Sequence, residues 1–359
     1  VKRILERPLV VVVGSGGVGK TTVAAALGLL SAREGKKTLV MTFDPSHRLK
    51  DTLGVGEAAR DREMKVEAEP SGKLHASLID TRRTFDRLVK RYAPDEDARE
   101  RILNNRFYTH LAGNLAGVLE YMAVERLFEI AEEGRYEQVI LDTPPTRQAL
   151  DFLEAPERVV AFLESGALRI ALKKWFDDEG HLQVAARLKL LRKGIEAFFD
   201  RLVGLDVLRD MSEFFRAFEP LFTGFRGRAL EVGKLLRSSE TLFVLCAGPG
   251  EEKIPDAMFF ARRLTETGHH LGPMVVNRVH PRFESDGATA HGLGPAETAL
   301  LTWMGERDHR GLRALRGLLP PESPLLALPV LPGEPTDLPS LAEMGALIRG
   351  EMERCPAPS

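Results

Sequence analysis

The sequence predicts an α/β protein: a doubly wound, mostly parallel sheet with a mainly helical subdomain inserted into it. Three observations predict this. Apolar runs of about 4–8 residues, closed by turn signals, alternate with helical patterns. The first run leads directly into a glycine-rich stretch, Gly14-Ser15-Gly16-Gly17-Val18-Gly19-Lys20-Thr21. The interval from about 151 to 235 carries long helical patterns without a strand signal.

Residues 9–13 form the first apolar run, LVVVV. Strands buried on both faces of a parallel sheet read as continuous apolar runs, because neither face meets water. Residues 38–42, 138–141 and 241–245 repeat the pattern; 274–277 is a fifth strand and 325–328 a sixth candidate. A helix follows the first strand over 20–34. Basic residues precede the apolar run at 8–13, as in a signal peptide. However, the run continues into a glycine loop and not into a small-residue cleavage site, so it reads as a buried strand. These patterns divide the chain into a sheet domain (1–82, 134–150 and 236–350), a helical subdomain (83–133 and 151–235) and a disordered tail (351–359).

Within the helical interval Met211, Phe214, Phe218, Phe222 and Phe225 recur at steps of three or four, a helical stripe. Pro220 falls inside it and predicts two short helices or a kink. Phe198, Phe199 and Leu202 add apolar surface. Such a stripe serves either as core or as a groove for an apolar partner.

A net charge of −2 gives no support to nucleic acid or an anionic membrane as partner. No apolar run is long enough to span a bilayer. The two cysteines, Cys246 and Cys355, suggest a reduced, cytoplasmic compartment and no disulfide framework.

The stretch 14–21 fits the P-loop pattern G-x4-G-K-[ST] in its proper context, after a strand and at the start of a helix. Glycines let backbone N–H groups close around a phosphate, and the helix N-terminus adds positive potential. Lys20 would reach the β- and γ-phosphates, and the Thr21 hydroxyl would ligate Mg²⁺, with Thr22 completing the first turn.

GSGGVGKTT also resembles the deviant Walker A loop, GKGGVGKTT, of dimeric ATPases such as ArsA, MinD, ParA and the nitrogenase iron protein. MTFDPSHRLKD at 41–51 and VILDTPPTRQALDFL at 139–153 look like the first and second switch regions of the ArsA-like ATPases. Their patterns in that family are D-P-A-H-x-L-x-D and D-T-A-P-T-G-H-T-L-R. The family includes the arsenite-pump ATPase and the ATPase that delivers tail-anchored membrane proteins. GPMVVNRVH at 272–280 is similar to the family's strand ending in an adenine-contacting asparagine, and LALPVLPGEP at 326–335 sits where the family carries its adenine loop.

The resemblance implies a P-loop NTPase fold, ATP and Mg²⁺ as ligands, and a nucleotide-controlled dimer. Carried over residue by residue, Asp44 orients the attacking water and Asp142 holds Mg²⁺ through water. Pro45 and His47 belong to the first switch; Thr143, Pro144, Pro145 and Thr146 belong to the second. Asn277 contacts adenine, flanked by Val330 and Pro332. Read alone, Asp44-Pro45 also suits a strand-to-turn signal, Asp142 a helix N-cap and His47 an ordinary loop histidine.

The chain also departs from the family. Ser15 stands where the signature lysine reaches across the dimer, and Arg147 stands where the second switch has glycine. There is no C-x-x-C pair, so no structural zinc is expected, and two separated cysteines argue against a metalloid-binding thiol cluster. With one P-loop, a nucleotide sandwich needs a second chain, either a copy or a paralogue that keeps the lysine. The expected function is a dimeric, nucleotide-switched ATPase that drives conformational change in a helical client- or partner-binding subdomain, and a hydrophobic helical client is permitted. The alternatives are a weakly hydrolysing or non-hydrolysing regulatory subunit and a MinD- or ParA-like positioning ATPase.

Overall fold

The computed structural model describes residues 2–43, 48–56, 59–67, 69–106, 108–109, 118–144, 146–165, 205–282, 295–320 and 323–354. The chain divides into two compact units. One comprises Val1–Ile79, Leu127–Leu150 and Leu235–Ser359; the other comprises Asp80–Arg126 and Asp151–Lys234. The helices in chain order are α1 (Lys2–Leu5), α2 (Lys20–Arg33), α3 (Arg48–Leu53), α4 (Thr81–Tyr92), α5 (Glu96–Leu103), α6 (Val118–Glu133), α7 (Thr146–Leu163), α8 (Leu205–Phe218), α9 (Phe222–Arg237), α10 (Ile254–Glu266), α11 (Pro295–Leu318) and α12 (Leu338–Arg354).

The first unit is built on an eight-stranded sheet. Its strands are β1 (Leu9–Gly14), β2 (Thr38–Thr42), β3 (Met64–Lys65), β4 (Leu74–Leu78), β5 (Gln138–Asp142), β6 (Thr241–Ala247), β7 (Leu271–Val279) and β8 (Leu325–Pro329). The spatial order is β3-β4-β2-β5-β1-β6-β7-β8. The pairings are parallel except β3 with β4, which is antiparallel. The mostly parallel α/β fold is thus the one expected.

Two strands were not anticipated. In β4, LHASL, the polar His75 and Ser77 break the apolar run, although four of its five residues are buried. The two-residue β3 is exposed and offers no apolar signal. β1 is buried at every position. Its Val10 and Val12 pack with α2, in which all residues from Val23 to Ala32 are buried. Alanine-rich α2 is therefore a core helix, enclosed by apolar side chains of the sheet and by Leu341, Met344 and Ile348 of α12.

Residues 351–354, assigned to the tail from sequence, are helical; 355–359 lie outside the described residues. α12 continues to Arg354, because Met352 is buried in the same core and Glu351 Oε2 accepts a hydrogen bond from the Ala327 backbone N–H of β8 at 3.2 Å.

The described residues of the second unit form helices and the turns between them. Asp80 caps α4 by accepting from the Arg83 N–H at 3.0 Å, and Asp95 caps α5 by accepting from the Ala98 N–H at 2.7 Å. The Phe stripe is interrupted by a 3-10 turn, Glu219–Leu221, which carries Pro220 between α8 and α9. Pro220 lacks an N–H, so a continuous helix would lose a hydrogen bond there.

Phe214, Phe218 and Phe225 are buried with Phe85 and Tyr108, while Met211 and Phe222 pack at the margin. Ring centroids lie 4.8 Å apart for Phe218 and Phe225, and 6.1 Å apart for Phe85 and Phe218, both edge-to-face. Of the two readings of the stripe, the structure selects core. Phe198, Phe199 and Leu202 lie outside the described residues. A buried ion pair joins Arg228 Nε to Glu125 Oε1 at 2.6 Å, and the Tyr121 hydroxyl donates to Glu125 Oε2 at 3.2 Å. Among the described residues no helix is long and apolar enough to cross a membrane.

Candidate nucleotide-binding site

β1 lies between β5 and β6. The chain leaves β1 toward β2 on one side and later returns to place β6 on the other. The carboxyl end of β1 is therefore a topological switch point, where open α/β sheets bind ligands. The register Val12↔Asp142, Thr42↔Asp142 and Gly14↔Cys246 brings the ends of β1, β2, β5 and β6 to one edge.

Residues 14–19 leave that edge and turn into α2. Two glycines are obligatory on geometric grounds. Gly14 has φ 149°, and a Cβ there would sit 2.1 Å from the Cys246 carbonyl oxygen. Gly19 has φ 90°, and a Cβ there would sit 2.3 Å from Asn277 Nδ2. Ser15 is half-buried, Gly16 and Gly17 are exposed, and Val18 is buried beneath the turn. The free N–H groups at the start of α2 carry positive potential toward this side.

Lys20 is 7% exposed, and its Nζ donates to the Ser15 carbonyl at 2.9 Å, so the ammonium lies over the loop. Thr21 Oγ1 donates to Asp142 Oδ2 at 2.7 Å, and Thr42 Oγ1 donates to the same oxygen at 3.0 Å. Asp142 is the last residue of β5, and α7 begins only at Thr146, so Asp142 is not a helix N-cap. A serine-type hydroxyl and a carboxylate at this separation form the hard-oxygen donor set that suits Mg²⁺. Among the described residues no group of three or more His, Cys, Asp or Glu side chains is placed to hold a metal ion.

Thr143 and Pro144 follow β5 and are buried; Thr143 Oγ1 donates to the Val12 carbonyl at 2.8 Å. Thr146 is the first residue of α7. Asp44, Pro45, His47 and Pro145 lie outside the described residues. Cys246 is buried beside Gly14, and burial pushes its thiol up to about 12.

A cavity of about 440 Å³ opens beside the loop, within the range of small-molecule sites. Thr22, Asn277, Arg278, His280, Val330 and Pro332 line it. It thus unites the expected Thr22, Asn277, Val330 and Pro332. Asn277 is also built into the loop: Nδ2 donates to the Val18 carbonyl at 3.0 Å, and Oδ1 accepts from the Arg278 N–H at 2.9 Å.

Sequence reasoning missed Arg278, His280 and Glu334. Arg278 has φ 64°, a left-handed conformation that costs a non-glycine residue about 1 kcal/mol or more. Its guanidinium spans from the Gly17 carbonyl, at 3.4 Å, to Glu334, at 3.2 Å. His280 donates both its backbone N–H and Nδ1 to Asp308 Oδ2, at 3.0 and 2.7 Å. Arg307 binds the other carboxylate oxygen through Nε and Nη2, at 2.9 and 2.7 Å. Burial acts to raise the Asp308 carboxyl, but the hydrogen bonds from His280 and Arg307 outweigh it and hold the carboxyl below its ordinary value. The stretch NRVHP held the local signal, three polar side chains at the carboxyl end of a buried strand.

A family profile described as Anion-transporting ATPase matches residues 8–198. The chain belongs to this family. Among curated members it is similar to ATPase ASNA1 homolog 2 of Paramecium tetraurelia, 30% identical over 167 residues that cover 43% of this chain and 47% of that protein. It is likewise similar to ATPase GET3 of Zygosaccharomyces rouxii, 28% identical over 214 residues (54% and 60%). ATPase ARSA2 of Chlamydomonas reinhardtii is 29% identical over 226 residues (59% and 56%). The chain therefore spans about half the length of the curated relatives it matches. For the Anion-transporting ATPase family the matched region contains both the P-loop and Asp142.

Proposed function

We propose that this chain is a Mg-ATP-dependent, nucleotide-switched ATPase. One observation carries the reading. The 14–21 loop sits at the switch point of the sheet, with the Thr21 hydroxyl 2.7 Å from the Asp142 carboxylate. This combination of cradle, lysine and oxygen pair suits a triphosphate with its divalent cation.

In this reading the loop N–H groups bind the β-phosphate, and Lys20 exchanges the Ser15 carbonyl for phosphate oxygens. Thr21 and Asp142 hold Mg²⁺, Asp142 through water; the ion neutralises charge that develops on the transferring phosphoryl group. Asp44 positions the attacking water, a role supported by the resemblance of its segment to the family's first switch. The purine enters the cavity between Asn277, Val330 and Pro332. Residues 143–146 respond to the γ-phosphate, with Pro45 and His47 doing so from the first switch. Helix α7 begins at Thr146, the last residue of 143–146.

The working form is a dimer, because a single loop lacks the facing half of a sandwich. Ser15 supports a second reading: a weak or partner-dependent subunit paired with a lysine-bearing paralogue. Loss of a cation that stabilises transferring phosphate costs orders of magnitude in rate. Among the described residues the aromatic stripe is core, so the reading of a hydrophobic helical client does not rest on it.

ATP binding and steady-state turnover by the full chain test the proposal, with Lys20→Ala, Asp142→Asn and Asp44→Asn as controls. Turnover abolished by all three supports a self-sufficient ATPase. Binding without turnover above the Asp44→Asn level supports the paired subunit. Absence of ATP binding by the unmodified chain refutes both.

A further inference from the structure

We propose that His280 selects the purine base: its Nε2 accepts a hydrogen bond from the 6-amino group of adenine, and Asp308 is the positioning residue that holds the ring for this contact. The proposal rests on the nucleotide-binding reading above and adds to it a base-reading residue.

The position is set by the sheet. β7 ends at Val279, so His280 emerges at the same carboxyl edge as the loop. It lines the cavity whose other wall is Thr22, two residues after Lys20 in the first turn of α2. A nucleotide whose phosphates lie on the loop therefore brings its base into this cavity. Val330, Leu331 and Pro332 offer apolar surface for the purine face. Both ends of the Asn277 amide are already engaged, with Val18 and with the Arg278 backbone.

The ring's orientation is set by Asp308. That carboxylate is fully buried, and Nδ1 lies 2.7 Å from it. The His280 side chain keeps 19% exposure and lines the cavity, and Nε2 is the ring nitrogen that Asp308 does not bind. The contact with Asp308 sets the tautomer: the carboxylate only accepts, so Nδ1 carries the proton and the neutral imidazole has its lone pair at Nε2. A buried carboxylate is costly unless fully partnered, and among the described residues His280 and Arg307 supply four hydrogen bonds to Asp308. Its structural effect is to hold one histidine at the cavity edge. Adenine presents a donor at C6 and guanine an acceptor, so a fixed acceptor favours adenine.

The test is equilibrium titration of the full chain with Mg²⁺ and ATP, purine riboside triphosphate (which lacks the 6-amino group) or GTP. Wild type is expected to bind ATP about three- to tenfold more tightly than purine riboside triphosphate, the range for one neutral hydrogen bond. GTP is expected to bind more weakly than both. His280→Ala brings the ratio of the ATP and purine riboside triphosphate affinities to about one. Asp308→Asn shrinks the ATP preference, a base-specific loss that general destabilisation does not produce. Undiminished ATP preference in His280→Ala overturns the proposal. So does equal binding of the two ligands by wild type, a result that needs no variant. If wild type binds none of the three, the nucleotide-binding reading falls and this one with it.

Discussion

Gly19→Ala tests whether the loop is locked to the strand behind it. At φ 90° an alanine is strained by about 1–2 kcal/mol. Its Cβ would also lie 2.3 Å from Asn277 Nδ2, well inside contact distance. The amide must then move and release the Val18 carbonyl, a buried hydrogen bond contributing about 1 kcal/mol. The sum is about 2–3 kcal/mol of destabilisation. Asn277→Ala removes the same hydrogen bond and relieves the clash, so the two changes share one term. The double variant should fall short of additivity by about 1 kcal/mol. Urea unfolding followed by Trp303 fluorescence in a Trp175→Phe background reads this, since Trp303 lies on α11 of the first unit. Additive effects within about 0.3 kcal/mol would refute the claim that Gly19 is required by the Asn277 contact.

In the helical unit, Arg228→Met should cost about 3–5 kcal/mol, because it removes the cation paired with the buried Glu125 carboxylate; a large drop in that unit's urea midpoint checks this. The depressed Asp308 carboxyl carries a pH signature. Its contribution to stability is fully present above its unfolded value of about 3.9 and is lost as pH falls through the lower folded value. The melting-temperature gap between wild type and Asp308→Asn should therefore be constant from pH 5 to 7 and shrink below about pH 4. A gap independent of pH down to 3 contradicts the assignment.

What could be read along the chain and what could not separate by distance in sequence. The strand, loop and helix of residues 9–33 were legible because their determinants are contiguous: valines, then glycines, then Lys20 and Thr21. The break at Pro220 was legible for the same reason. β4 was not, because its alternating His75 and Ser77 hide a strand whose apolar residues are buried only by packing with distant elements, α2 among them. Nor was the destination of the Phe stripe. A helical period reports that one face is apolar, and only the packing partners decide whether that face is core or groove.

The residues around the loop make the same point. By itself the sequence determined the α/β class, the phosphate-type loop and the family, since each is written in short-range pattern. Only the tertiary structure decided which distant side chains complete the site. Asp142 meets Thr21 across 121 positions, Asn277 meets Val18 across 259, and His280 meets Asp308 across 28. Those meetings follow from the strand order, which brings the carboxyl ends of β1, β5 and β7 to one edge, and from the burial that makes each polar group find a partner there.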